Sequence, residues 1–248
     1  MINLSVNVNK VATLRNSRGG AMPSVLDAAG VAVDAGAAGI TVHPRADARH
    51  ITFRDVEALA DVLAPLKGRV EYNIEGDPRQ DLLDLVRRVR PDQCTLVPVV
   101  AGEITSQAGW PAATPRDWFR DLVAGLRELG VRVSLFVDPT PAAVEWAADM
   151  GGDRVELYTE PYARQFAHGP AAAAASLHDY SLAARRAHDL GLGVNAGHDL
   201  DLNNLVLFRT LPHLAEVSIG HALISRALFV GLARTVREYV AVLEGGPA

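Results

Sequence analysis

Three side chains carry the acid–base chemistry that this sequence can support: His43, Glu75 and His198. His43 closes the run Gly39-Ile40-Thr41-Val42 and precedes Pro44, so it leaves a strand instead of continuing it. Glu75 follows Tyr72-Asn73-Ile74, where a carboxylate is costly to bury unless it is paired. Either an arginine on a neighbouring strand neutralises it, or it is a general base with a pKa tuned by its surroundings. His198 follows Asn195-Ala196-Gly197, and glycine there admits close approach of backbone to a ligand. The competing reading of His198 is a purely structural turn.

Groups suited to anions stand near these three. Arg18 and Arg45 can each grip a phosphate through two parallel hydrogen bonds, and His50 lies shortly beyond Arg45. Gly220-His221 precedes a helical run expected from about Ser225 to Leu243, and backbone N–H groups there make an anion cradle. His43, His50 and His198 lack the tight spacing of a His-Glu-x-x-His zinc site, so no metal is expected. The pattern is proton transfer on a small phosphorylated molecule.

Such distant residues need a scaffold that gathers them. Short apolar runs alternate with longer amphipathic segments along the whole chain. The strand candidates are Asn3–Val8, Gly39–His43, Arg69–Glu75, Gln93–Val99, Val131–Asp138, Arg154–Thr159, Gly191–Asn195 and Glu216–Gly220. They are mostly apolar with little clean alternation, the pattern of parallel strands covered on both faces. The polar residues gather at their C-terminal ends: Asn7 and Asn9, His43, Glu75, Asp138, Glu156 and Tyr158, Asn195 and His198, then Gly220 and His221.

Ser24 before Asp27 and Thr52 before Asp55 have capping-box spacing. Asp77-Pro78, Thr114-Pro115 and Thr140-Pro141 each place a capping side chain before a proline. Gly36, Gly130 and Gly191 sit where helices should stop. Leu82, Leu85, Val86 and Val89 form one apolar stripe; Trp118, Leu122 and Leu126 form another.

Eight strands with intervening helices fit a closed (β/α)8 barrel, the TIM-barrel fold of the α/β class, or an open doubly wound sheet. The open sheet carries a glycine-rich turn after its first strand, but here Asn7-Val8-Asn9-Lys10 follows. Gly191-Leu192-Gly193 leads into Val194 and reads as a strand entry, not a dinucleotide loop. The even spacing and the 248 residues favour one barrel domain over 1–248 with a few extra helices. Residues 160–175 form a long connection that holds an extra helix or a lid.

Bulk properties narrow the function. A net charge of −5 gives no broad attraction to nucleic acid or anionic membranes. The single cysteine, Cys94, excludes an internal disulfide and reads as a small buried hydrophobe. There is no apolar run of about 18 residues and no signal-peptide pattern, so a cytoplasmic protein is expected.

The ordered motifs also resemble a known family. Asn7-Val8-Asn9-Lys10-Val11-Ala12-Thr13-Leu14-Arg15-Asn16-Ser17-Arg18, Gly39-Ile40-Thr41-Val42-His43-Pro44-Arg45 with Arg49-His50, and Asn73-Ile74-Glu75 resemble the pyridoxine 5′-phosphate synthases. So do Leu96-Val97-Pro98 with Glu103-Ile104-Thr105, Val133-Ser134-Leu135-Phe136, Val194-Asn195-Ala196-Gly197-His198 and Ile219-Gly220-His221-Ala222. The resemblance implies condensation of 1-deoxy-D-xylulose 5-phosphate with 3-amino-2-oxopropyl phosphate. The products are pyridoxine 5′-phosphate, phosphate and water, in vitamin B6 biosynthesis.

The resemblance further implies no organic cofactor and no metal. It implies a homo-octamer built from dimers, in which a neighbouring chain's arginine, at the position of Arg18, completes the site. By the same resemblance His43 and Glu75 are proton acceptors and His198 is a proton donor. Asn7 and Arg18 contact the amino-ketone phosphate; Arg45, His50 and Thr105 contact the deoxyxylulose phosphate. Asp199, Gly220 and His221 make further contacts, with Asp199 acting through its backbone. The loop over residues 99–109 is placed to close over the mouth.

The chain departs from the family where Asn9-Lys10 replaces a common Asp-His, Val99 a common glutamate and Asp199 a common glycine, which puts the sugar-phosphate contacts of Asn9 and Lys10 in question. Two other readings stay open: a related barrel aldolase or isomerase acting on another phosphorylated ketose, and a non-catalytic paralogue that binds phosphorylated metabolites.

Overall fold

Every strand pairs in parallel with the next, and the last returns to the first, so the sheet closes in the order β1 to β8. The computed structural model describes residues 1–98, 107–111 and 113–246. β1 (Asn3–Asn7) leads through α1 (Asn9–Asn16) and α2 (Val25–Asp34) to β2 (Gly39–Val42). α3 (Phe53–Leu63) precedes β3 (Glu71–Gly76), and α4 (Gln80–Val89) precedes β4 (Gln93–Leu96). α5 (Arg116–Glu128), β5 (Arg132–Val137), α6 (Pro141–Asp149) and β6 (Arg154–Tyr158) continue the alternation. α7 (Glu160–Ala167) and α8 (Pro170–Asp189) then lead to β7 (Gly193–Gly197). α9 (Leu202–Phe208), β8 (Leu214–Ile219), α10 (His221–Val230) and α11 (Leu232–Leu243) complete the barrel. The long connection after β6 therefore holds an extra helix, α7.

The strands alternate more strictly than their sequences suggest. Val6, Ile40, Val42, Ile74, Cys94, Leu96, Val133, Leu135, Val155, Leu157, Val194 and Val217 are fully buried in the apolar layer that the helices cover. The residues between them are polar and face the lumen. Ser5 bonds Thr41 at 2.7 Å, Asn73 reaches Thr41 at 3.3 Å, and Thr95 donates to Asn73 at 3.0 Å. Gln93 and Arg132 extend this chain. The lumen assignment follows from bonds between strands that are not neighbours: Ser218 of β8 reaches Glu75 of β3 at 3.5 Å, and Arg132 of β5 pairs with Glu71 of β3. Small polar residues hid the alternation, because Ser and Thr dilute an apolar run without breaking it.

Some helix signals hold and others shift. Thr52 and Asp55 make a reciprocal capping box, Ser24 accepts from the Asp27 N–H, and Thr140 accepts from the Ala143 N–H ahead of α6. Gly36, Gly130 and Gly191 take the left-handed conformation just past their helices. Asp77 does not cap α4: its carboxylate pairs with Arg79 at 2.7 Å, and the helix starts at Gln80. Thr114 does not cap α5, because its hydroxyl donates back to the Pro111 carbonyl. The inward stripe of α5 is Phe119, Val123 and Leu126, while Trp118 is 49% exposed. Phe119 wins because its ring packs against Trp110 and Trp146 at 4.8 and 5.1 Å, a burial that contributes about 2 kcal/mol. Cys94 is free and fully buried.

Candidate active site

The C-terminal strand ends open into a cavity of about 550 Å³. β1 supplies Asn7, whose side-chain oxygen accepts from the Asn9 N–H at 3.0 Å and turns the chain into α1. Asn9 and Lys10 therefore belong to the first turn of that helix, not to a strand end. Asn9 in turn accepts from the His43 N–H at 2.9 Å, which fixes the backbone of the histidine. The loop after β2 carries Arg45, Arg49 and His50 to one rim. It is tied down from α1: Asn16 donates to the His50 carbonyl at 2.8 Å, and Arg15 grips Asp55 through two bonds. α10 begins at His221, so Gly220 and His221 set its free N–H groups at the rim on the other side of β1. Any side chain at Gly220 would press on Asn7, since a Cβ there would lie 3.1 Å from the Asn7 Cβ.

Burial, not ion pairing, sets the protonation of the central groups. Burial lowers His43 to about 3, helped by the neighbouring His50 and by the cations Arg45 and Arg79, so its imidazole is neutral at physiological pH. Its Nε2 is buried without a hydrogen-bond partner among the described residues. Burial likewise lowers His50 to about 4, with Lys10 and Arg45 contributing. The His50 Nδ1 accepts from the Ile51 N–H at 2.9 Å, which leaves the ring proton on Nε2.

Glu75 moves the other way. Burial raises it to about 8, and the nearby Glu216 adds to the effect, while the Ser218 hydroxyl opposes it. His43 Nδ1 lies 3.8 Å from the Glu75 carboxyl, too far for a hydrogen bond. Since both shifts favour the uncharged forms, this contact is a neutral pair, not a salt bridge. No arginine meets Glu75 among the described residues, so the structural pairing considered from the sequence is absent. Glu156, on β6, is also raised well above the usual carboxylate range by burial and by Glu75. Gly197 makes room for it: a Cβ there would sit 2.2 Å from the Glu156 Oε1.

His198 follows β7, its ring edge-on to that of Tyr158 with centroids 5.3 Å apart. His198 and Asp199 both adopt left-handed backbone, with φ of 86° and 52°. The Asp199 carboxylate is bonded to His198 Nδ1 at 2.7 Å.

The comparisons with known proteins bear on this arrangement. The family described as "Pyridoxal phosphate biosynthesis protein PdxJ" matches residues 4–245. The chain belongs to the PdxJ family. A protein of Christiangramia forsetii named "Pyridoxine 5'-phosphate synthase" is 49% identical over 245 residues, 98% of this chain and 100% of that protein. One of Bacteroides fragilis with the same name is 51% identical over 239 residues, 96% of this chain and 98% of that protein. Among solved structures, thiamine phosphate pyrophosphorylase of Pyrococcus furiosus superposes with a TM-score of 0.64 at 12% identity, covering 98% of this chain and 96% of that one. Phosphoribosyl anthranilate isomerase of Thermotoga maritima gives 0.63 at 14%, covering 99% and 100%. At such identities these two speak for the barrel fold alone.

Most residues singled out by resemblance to the PdxJ family line the cavity. Asn7, Asn9, Lys10, His43, Arg45 and His50 do so, as do Glu75, His198, Asp199, Gly220 and His221. Arg18 lies exposed after α1 and does not line the cavity of its own chain. Thr105, with Glu103, Ile104 and most of the 99–109 loop, lies outside the described residues. Asn195 is not at the mouth: it sits mid-strand, buried, and bonds Glu216 and Arg154. Glu156, Ser218, Phe136, Val97, Thr13 and Arg49 line the cavity without having been assigned a role from sequence. Glu156 was within reach of the alternation, because Val155 and Leu157 face the helices and leave it only the lumen.

Proposed function

We propose that this chain is a pyridoxine 5′-phosphate synthase, joining 3-amino-2-oxopropyl phosphate to 1-deoxy-D-xylulose 5-phosphate. One observation carries the reading: a neutral histidine and two proton-retaining carboxyls share one cavity whose two rims present anion-binding groups. Two substrates, each held by its phosphate at one of these sites, would bring their reacting carbons together between them. That converts an encounter of two flexible molecules into a positioned reaction.

The amino ketone enters as an ammonium. Its positive charge beside Glu75 favours the carboxylate, which then takes a proton from the nitrogen. The freed amine attacks the ketone carbon of the sugar phosphate. His198 donates the proton that lets the resulting hydroxyl leave as water. His43, held neutral by burial, accepts a proton from carbon as ring closure and phosphate loss proceed. Burial fixes the neutral state of His43, and the charge that the substrate brings turns Glu75 into a base. Lys10, Arg45 and His50 face one phosphate; Asn7, Gly220 and His221 face the other.

The working assembly is a cytoplasmic homo-octamer in which a neighbour's Arg18 reaches the amino-ketone phosphate. Two facts support an assembly: Arg18 is outside its own cavity, and α10 exposes Leu228 and Phe229, at 68% and 89%. No helix of the described residues is long and apolar enough to cross a membrane. The test is to incubate purified protein with both substrates and follow pyridoxine phosphate and released phosphate. Both products are expected; neither appearing from folded protein overturns the reading.

A further inference from the structure

We propose that Asp199 is the positioning residue of His198, holding one ring proton on Nδ1 so that Nε2 is the nitrogen that passes a second proton to substrate and is left bare. The proposal rests on the synthase reading for its kinetic consequence but not for its geometry. A carboxylate accepts hydrogen bonds and cannot donate them, so the 2.7 Å contact requires the proton on Nδ1. Nε2 has no hydrogen bond among the described residues, and the ring lines the cavity.

Side chains of adjacent residues normally diverge. Here they meet because two consecutive left-handed residues fold the backbone back on itself. That turn is held from outside. The fully buried Thr159 hydroxyl donates to the Gly197 carbonyl at 2.7 Å and reaches the His198 carbonyl. Asn204, itself buried in the capping box of α9, donates to the Asp199 carbonyl at 3.1 Å. Tyr158 packs edge-on against the ring, and His221 at the start of α10 stands near the Asp199 carboxylate.

Glycine would satisfy φ of 52° with less strain, so the turn alone does not account for a carboxylate at this position. Its contact does. The carboxylate is drawn below its usual range, first by the hydrogen bond to His198, and so keeps its charge throughout the working pH range. A fixed acceptor on one ring nitrogen selects the tautomer and orientation of the other, as in catalytic carboxylate–histidine pairs generally. A phosphate at this rim does not meet a free carboxylate, because His198 already engages it.

The experiment compares the wild type with D199G and D199N. Long-range nitrogen–proton NMR of the His198 imidazole should show Nδ1–H in the wild type and a shift toward Nε2–H in D199G. In D199G, kcat should fall about 10- to 100-fold, with KM for both substrates within about twofold. D199N keeps an oxygen acceptor, and should restore most of the Nδ1–H form and part of kcat. An unchanged tautomer in D199G overturns the proposal. So does a rise in KM for either phosphate substrate at constant kcat, which would make Asp199 a substrate contact. If the wild type forms no pyridoxine phosphate, the synthase reading fails, and the NMR comparison still decides whether Asp199 sets the tautomer.

Discussion

The two ends of the barrel lumen use the same residue types to opposite ends. At the floor, Glu71 pairs with Arg132 and lies 3.8 Å from Arg154, and Asn195 links Arg154 to Glu216. At the mouth, two steps of the side-chain alternation further along β3, Glu75 has a serine hydroxyl and a neutral histidine as its neighbours. Glu75 is the more deeply buried of the two, and no arginine reaches it among the described residues. Glu71, given its cations, is part of the scaffold, whereas Glu75, denied one, retains its proton and is available for chemistry.

The largest test of this contrast is Glu75→Gln. Glutamine keeps the shape and the Ser218 contact but cannot exchange a proton. Turnover should drop by about 10³-fold, within the span of general acid–base effects, while the thermal transition and phosphate binding persist. Near-normal turnover would make the mouth as structural as the floor. The next is Arg154→Met at the floor, which leaves Glu71 with Arg132 alone and removes the cation that Asn195 links to Glu216. Loss of one partner of a buried pair should cost about 3 kcal/mol in urea unfolding, with the pH profile of turnover unchanged. A neutral result would mean that the floor carboxyls, like those above, do not need their cations.

The smallest effect is in pH. Glu75 and Glu216 both stand at about 8 in the folded protein, above the ordinary carboxylate value. The stability this confers is complete below the unfolded value and is lost as pH rises through 8, because the unfolded chain releases the protons first. His43 and His50 are depressed, so their contribution is present above the unfolded histidine value and is lost as pH falls toward 4 and then 3. Between pH 6.5 and 8 only the carboxyls act. Substrate-free protein should therefore lose stability across that window, and Glu75→Gln should remove on the order of 2 kcal/mol of the loss. Unfolding free energies of both proteins at the two pH values check this; parallel slopes would count against a proton-retaining Glu75.

The gathering of these polar groups at one end of the barrel was legible from sequence because histidine, glutamate and glycine stand at or just past the ends of apolar runs. His43, Glu75 and His198 were found in this way, and all three line one cavity. What escaped was whatever depends on pairing register. Asn195 looked like a strand-end residue, yet β7 runs on to Gly197, and the asparagine is committed to Glu216. Asn9 looked like the end of β1, but an Asn7 side-chain bond had already turned the chain. Asp77 and Thr114 looked like helix caps until Arg79 and the Pro111 carbonyl took their oxygens. In each case a short polar side chain had several partners within reach, and only the folded geometry chose among them.

The alternation along the strands has a consequence for how this protein can change. Successive residues of a single strand answer to different demands, one to the jigsaw of the helical jacket and the next to the hydrogen-bonded interior. An engineer can therefore rewrite Ser5, Thr41, Asn73 or Ser134 to alter the polar packing of the lumen while leaving the apolar code of the jacket untouched. The two texts are interleaved letter by letter, but they can be edited separately.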